Sequence, residues 1–391
     1  MKRRICLLII IGLLAGLHHA TAQTWTQATT PSGAGGWWSV ASSADGTKLV
    51  TVTSPGLIYV STNSGAAWTN TSAPNLSWTG VASSADGTKL VAVVANFAGI
   101  YTSTDSGMTW VSNNAPNLDW FSVASSADGS KLVAVAEVPS AGYRGPIYTS
   151  SNSGSNWTLT IAPSYGWVSV ASSADGTKLA AAAASGQIYT STNSGTSWTS
   201  NNVPNDFWYS IASSADGMKL VTVSQSPHAI YTSTNGGLAW MQQPNAPNAS
   251  WVSVASSADG TKLVAVANPP KNIYTSTNSG LTWLTNNVSG NWNSVASSAD
   301  GGNLVAECYG GGGGIYFSQS VSIPQLNITS LNTNFMLSWT IPSTNFVMQQ
   351  SSDLTSWTNV TNTPTLNLTN LQNQVTLSPS NSSSFFRLST P

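Results

Sequence analysis

The sequence predicts an all-β chain: a seven-bladed β-propeller closed by its own N-terminal strand, followed by a small β-sandwich-like domain. Three observations predict it. The string Ser-Ser-Ala-Asp-Gly occurs seven times, with its acid at Asp45, Asp86, Asp128, Asp175, Asp216, Asp259 and Asp300, a spacing of 41–47 residues. That is the length of one four-stranded blade and too long for a coil of a linear β-solenoid. Each copy is followed by a run such as Leu90-Val91-Ala92-Val93-Val94, apolar on both faces of a strand. A sheet with one wet face would alternate, so these runs require burial on both sides, as stacked blades provide. Finally, the repeat has seven first halves but only six complete second halves. The missing strand stands at the other end of the ring, where Thr24-Trp25-Thr26-Gln27 matches Ala67-Trp68-Thr69-Asn70. Pairing the two ends removes an open sheet edge.

Taken in order, the chain begins with a leader. Lys2, Arg3 and Arg4 precede an apolar run over residues 5–17, and Ala20-Thr21-Ala22 gives a small-x-small cleavage pattern, so the mature chain is expected to start at Gln23 and to be secreted, extracellular or periplasmic. No later segment approaches the 18 or so apolar residues of a membrane span. Residues 23–320 form the ring. Strand A carries a Trp and small residues, strand B the apolar run, strand C an Ile-Tyr-Thr-Ser segment, and strand D starts at a second Trp. Asp-Gly between A and B and Asn-Ser-Gly between C and D are tight-turn signals, because Gly accepts a positive φ. Residues 321–391 form the small C-terminal domain, read from Trp339, Trp357, the alternation Phe335-Met336-Leu337-Ser338-Trp339 and the ending Phe385-Phe386-Arg387-Leu388.

The six C–D turns ending at Trp68, Trp110, Trp157, Trp198, Trp240 and Trp283 resemble the Asp-box, the Ser-x-Asp-x-Gly-x-Thr-Trp repeat of the bacterial-neuraminidase-repeat propellers. That superfamily includes sialidases, xyloglucanases, sortilin-type receptors and photosystem II assembly factors. The resemblance covers about residues 23–320 and implies a propeller in which the box is a structural hairpin. Only Asp105 keeps the acid; the other five boxes carry Asn, which caps a turn similarly. The leader and the C-terminal domain argue against a photosystem assembly role.

Composition narrows the chemistry. Without the leader, nine basic residues face thirteen acidic ones, no footprint for nucleic acid. Cys308 is the single cysteine outside the leader, expected to be a buried small hydrophobe. Outside the A–B turns the charged residues are Asp105, Asp119, Glu137, Arg144, Asp206, Lys271, Glu307, Asp353 and Arg387, with His228 the one histidine beyond the leader. A sialidase needs three arginines around its substrate carboxylate, and the ring has Arg144 alone. A glycosidase needs two facing carboxylates, and nothing in the sequence pairs the candidates Asp119, Glu137, Asp206 and Glu307. One His and one Cys make no dedicated metal cluster, and the repeated turn Asp is expected to hold backbone N–H groups rather than calcium. No cofactor is expected.

Topology then places function. The A–B and C–D turns share one rim and are nearly invariant among blades; the B–C and D–A loops share the other and vary. Variable loops on a rigid scaffold are where binding concentrates. The candidate ligand-binding residues on that face are Asp119, Glu137, Tyr143, Arg144, Asp206, His228, Lys271 and Glu307, with the tryptophans that open the A strands, Trp38, Trp78, Trp120, Trp167, Trp208, Trp251 and Trp292. Trp37, beside Trp38, breaks the pattern and is expected to be exposed. The reading is a secreted, monomeric, noncatalytic binding or scaffold propeller whose partner is an extracellular protein or polysaccharide. The alternative is a lectin-like module stacking sugars on the Trp ring, and the third reading is a glycoside hydrolase of the Asp-box type.

Overall fold

In a computed structural model of the chain, residues 23–31, 36–137, 142, 144–225, 228–310, 313–320, 326–331, 334–340, 347–368, 371–378 and 384–389 are described. The expected leader and Tyr143 lie outside these residues. Seven four-stranded antiparallel sheets follow one another. Blade 1 consists of strands A to D at Trp37–Ser42, Leu49–Thr53, Ile58–Ser61 and Thr69–Asn70. Five more blades repeat that order. Blade 7 takes its first three strands from Trp292–Ser297, Asn303–Cys308 and Ile315–Gln319, and its fourth from Thr26–Gln27. Thr26 stands opposite Phe317 and Gln27 opposite Tyr316, so the two ends of the ring are joined as the sequence predicts.

The ring is also closed along its axis. The alanine of each Ser-Ser-Ala-Asp-Gly donates its N–H to the carbonyl of the equivalent alanine in the next blade, from Ala44 to Ala85 and onward until Ala299 returns to Ala44, at 2.7–2.8 Å throughout. A seven-membered hydrogen-bonded circle requires identical backbone geometry in every blade, which explains why this string is the least variable part of the repeat. Ser on one side supplies the rest of the turn. In blade 4, Ser173 and Thr177 donate to Asp175, and Ser173 Oγ accepts from Lys178 N. Burial pushes the Asp175 carboxyl up, but these hydrogen bonds outweigh it and hold its pKa below the ordinary value.

Between blades lies the core. B strands at Leu49–Thr53, Leu90–Val94, Leu179–Ala183, Leu220–Ser224 and Leu263–Ala267 are buried at every residue, as their two-sided apolar pattern requires. Each opening Trp of a blade packs on the preceding blade, as Trp78 does against Val52 and Ile58. It also meets the strand-C tyrosine of its own blade edge to face, with ring centroids 5.0–5.6 Å apart in all seven cases. That partnership accounts for the Ile-Tyr signature of strand C.

Beyond the ring, a four-stranded sheet (Asn327–Leu331, Asn334–Thr340, Gln372–Leu377, Thr365–Asn367) and a three-stranded sheet (Thr358–Asn359, Val347–Ser351, Phe385–Ser389) share a core of Leu337, Trp339, Met348 and Val375. From this part Leu371 reaches the axial alanines, packing on Ala127, Ala174 and Ala215. It borders an axial cavity of about 160 Å³ walled by the Ser-Ser-Ala segments.

Candidate functional site

The two rims differ as the repeat implies. Backbone bonds such as Ser64 N to Thr47 O and Ser194 N to Thr177 O tie each C–D turn to the A–B turn of its own blade. In the C–D boxes Asn does the work of Asp. Ser150 Oγ and the Asn156 N–H donate to Asn152 Oδ1 at 3.0 and 2.9 Å, just as Ser103 and Thr109 serve Asp105. On the opposite rim, B–C and D–A loops pair with one another, as in Gly56 with Leu76 and Gly145 with Tyr165.

The tryptophan ring is not a binding surface. Trp37, Trp78, Trp120, Trp167, Trp208, Trp251 and Trp292 are at most 1% exposed. Their large apolar faces are consumed by the junctions between blades and by the strand-C tyrosines. Trp37, expected to be exposed, is the true ring member of blade 1, opposite Thr53 as Trp78 is opposite Val94. Trp38 is the additional residue. The physical reason is a β-bulge just after the ring Trp in strand A of every blade, which leaves one residue without a ladder partner.

That bulged position is not visible in the sequence, and in two blades it carries an exposed aromatic side chain. Its occupants are Trp38, Thr79, Phe121, Val168, Tyr209, Val252 and Asn293, at the variable end of the innermost strand. Phe121 and Tyr209 are 37% and 45% exposed. Trp38 meets Tyr309 edge to face at 5.9 Å, while Thr79 and Asn293 donate to the next blade at Trp120 O and Trp38 O. Exposed Phe97, Phe207 and Tyr309 lie in the neighbouring loops. The available signal was an aromatic residue beside the ring Trp, as in Trp37-Trp38, Trp120-Phe121 and Trp208-Tyr209.

The charged candidates separate. Asp119 and Glu137 are brought together as directly opposed residues of one ladder in blade 3. Asp119 Oδ1 accepts the Asn96 N–H at 2.9 Å. Burial, together with the Asp119 charge, pushes the Glu137 carboxyl above its ordinary value. Asn96 and the exposed Phe97 both hold positive φ, 59° and 63°, a costly pair for residues other than Gly. Arg144 lies over the Tyr165 ring at 5.9 Å. His228 Nδ1 is 3.3 Å from Ser250 Oγ. Asp206 is buried and caps Phe207 N at 2.7 Å, and burial raises its carboxyl. Lys271 contributes its carbonyl to Trp292 Nε1. Glu307 is a correction: it is no loop residue but part of strand Asn303–Cys308, wholly buried and hydrogen-bonded by Thr51 Oγ1 between blades 7 and 1. Among the described residues, no three of His, Cys, Asp and Glu gather as a metal site would need.

No protein-family model matches this chain, and no curated protein matches it. Solved structures do. A structure of YCF48 bound to D1 peptide is 14% identical with a TM-score of 0.57, covering 77% of this chain and 98% of that one. YCF48 from Cyanidioschyzon merolae is 15% identical with a TM-score of 0.58, covering 76% and 98%. The Swd1 β-propeller domain of Myceliophteria thermophila is 12% identical with a TM-score of 0.59, covering 76% and 100%. At these identities the likeness is one of fold: the chain is built around a β-propeller.

Proposed function

We propose that this chain is a secreted, noncatalytic propeller that binds an extracellular protein through the rim of its B–C and D–A loops. One observation carries the reading. Among the described residues of the ring, the exposed aromatic side chains Phe97, Phe121, Phe207, Tyr209 and Tyr309 all belong to that rim. Rigid, exposed aromatics of this kind anchor protein partners. The other rim offers tight turns, with Leu371 against its axial alanines. A neighbour of the same fold is bound to a peptide, which supports a polypeptide as the partner. An enzymatic reading rests on the Asp119–Glu137 pair alone, and sugar stacking, with the Trp ring buried, would fall to Phe121 and Tyr209.

The test is affinity capture from the extracellular fraction with the chain from Gln23 onward, beside a Phe121→Ser/Tyr209→Ser variant. A protein partner bound at least about tenfold more weakly by the variant is the expected result. Equal capture by both would remove the rim from the mechanism. A glycan array bound by the chain and not by the variant would make a polysaccharide the partner instead.

A further inference from the structure

The repeated blades act as their own controls, and one junction departs from three of its siblings. On the turn-bearing rim, the start of strand B and the end of strand C of one blade face the turn glycine and strand-B leucine of the next, enclosing a void. The void is about 10 Å³ between blades 1 and 2 and between blades 2 and 3, and about 20 Å³ between blades 5 and 6. Between blades 4 and 5 it is about 240 Å³.

Three residue changes mark this junction. Ala180, next to the lining residue Leu179, stands where the B strands of the other blades carry Val, two methyl groups larger. That Val lines the small voids at Val91 and Val221. Gly236 stands where five sibling turns carry Ser at positive φ, as Ser194 and Ser279 do. Met218 replaces the Thr or Ser that binds the turn Asp through its hydroxyl in five of the other six blades, keeping only the backbone bond from Met218 N to Asp216 Oδ1 at 2.9 Å. The cavity is floored by Leu179 and Leu220, flanked by Met218 and Leu238, and edged by Asn235 and Ser197. Leu238 is 78% exposed, so an entrant meets an apolar lip.

We propose that this cavity is a binding pocket for a neutral aromatic ring of one or two cycles. Size sets the upper limit: an apolar cavity of about 150 Å³ holds benzene, and this one is larger. Charge sets the class. The one charged group in the wall is the Lys178 ammonium, which sits at the edge and donates to Asp216 O at 2.7 Å, while the floor and flanks of Leu179, Leu220, Met218 and Leu238 carry no charge. The thioether of Met218 adapts to ring edges, and Asn235 and Ser197 meet a polar substituent. The pocket lies on the rim opposite the exposed aromatics and does not depend on the partner proposed above.

The ring can arrive free or on a polypeptide, and two probes separate the sources. The Met218 methyl resonance would be followed while indole, or N-acetyltryptophanamide, is titrated into the chain from Gln23 onward. Saturation by indole alone indicates a small-molecule site; saturation by both indicates that a tryptophan side chain also fits. In Ala180→Val/Gly236→Ser, with Met218 kept as the reporter, affinity should fall at least about tenfold. Space is available for that serine, because a Cβ at Gly236 meets nothing nearer than Gly217 O at 3.7 Å. Leu238→Asp, at an exposed site with no folding role, should weaken binding as well. Absence of saturation with both probes, or unchanged affinity in both variants, overturns the pocket.

Discussion

Most seams between blades are variations on one design, and the seam that closes the ring is built from different parts. In ordinary seams the Lys after the Asp-Gly turn crosses to the next blade: Lys89, Lys131 and Lys178 donate to the carbonyls of Asp128, Asp175 and Asp216 at 3.0, 2.9 and 2.7 Å. Valines and alanines of strand B fill the space behind. At the closing seam Asn303 Nδ2 takes the equivalent bond, to Asp45 O at 2.9 Å. Glu307 replaces the usual Val and meets Thr51, which replaces an Ala found in five other blades. The second carboxylate oxygen of Glu307 is buried without a partner. A lone buried carboxyl stabilises less than the apolar contact it displaces. Closure therefore relies on the strand contributed by the other end of the chain, not on superior packing.

The largest effect should come from removing that strand. Deleting residues 23–30 takes away Thr26–Gln27, the bond from Ala28 N to Ile315 O at 2.8 Å and the packing of Trp25 on blades 6 and 7. It also leaves Ile315–Gln319 as an open edge. A drop of more than about 5 kcal/mol in unfolding free energy, or conversion to oligomers, is expected. Thermal melting with light scattering reads both; an unchanged melt would mean that the seam holds without its strand.

Next comes the pair of adjacent tryptophans. Trp37→Ala at the closing seam and Trp208→Ala at an ordinary one should each cost about 3–5 kcal/mol, because both rings are buried. Trp38→Ala should cost far less. Denaturant melts of the three variants would rank them, and a Trp38 loss equal to that of Trp37 would contradict the assigned register.

These pairs show where the sequence is legible. Blade number, strand order and the strand swap follow from periodicity alone, because every blade repeats the same local demands. Trp37 was open to a count from the turn, since it stands eight residues before Asp45 as Trp78 does before Asp86. What spacing does not show is the bulge that inserts one residue into each A strand and leaves Trp38 without a ladder partner. The same insertion hid Phe121 and Tyr209, which look like ordinary alternating positions. Glu307 was open to discovery: counted from the turn, it stands seven residues after Asp300, as Val52 does after Asp45. Its carboxylate drew it toward the variable loops, and only burial shows that it belongs to the seam. The Asp119–Glu137 pairing depends on that bulge as well: beside the turn Ser125 faces Leu132, and only the inserted residue brings Asp119 opposite Glu137. The exposure of Phe97 beside it depends on a loop conformation that no spacing rule supplies.

Titration separates the closing seam from the others. Burial pushes the Glu307 carboxyl up to about 8, against the hydrogen bond from Thr51. A carboxyl raised in the folded state keeps its proton while the unfolded chain loses one. Stability should thus be greatest below the ordinary glutamate range, fall as pH rises toward about 8, and level off above it. The slope is on the order of 1 kcal/mol per pH unit within that window. Glu307→Gln keeps a group able to bond Thr51 and removes the proton equilibrium, so its denaturation midpoint should be flatter between pH 5 and 8 than that of the unsubstituted chain. Parallel curves would show that Glu307 does not titrate with folding.

The smallest effect should follow from giving the closing seam the side chain its siblings use. In ordinary seams the turn glycine of one blade lies over the aliphatic stem of the preceding lysine, as Gly129 lies over Lys89; at the closing seam Gly46 lies over Asn303. The stem of a lysine fits under such a glycine, and its ammonium reaches the carbonyl that Asn303 already serves. Asn303→Lys should therefore shift unfolding by no more than about 0.5 kcal/mol. A loss several times larger, measured by the same melts, would mean that the first and last blades meet at a spacing no other pair shares, and the asymmetry of the closing seam would then lie in its backbone as well as in its side chains.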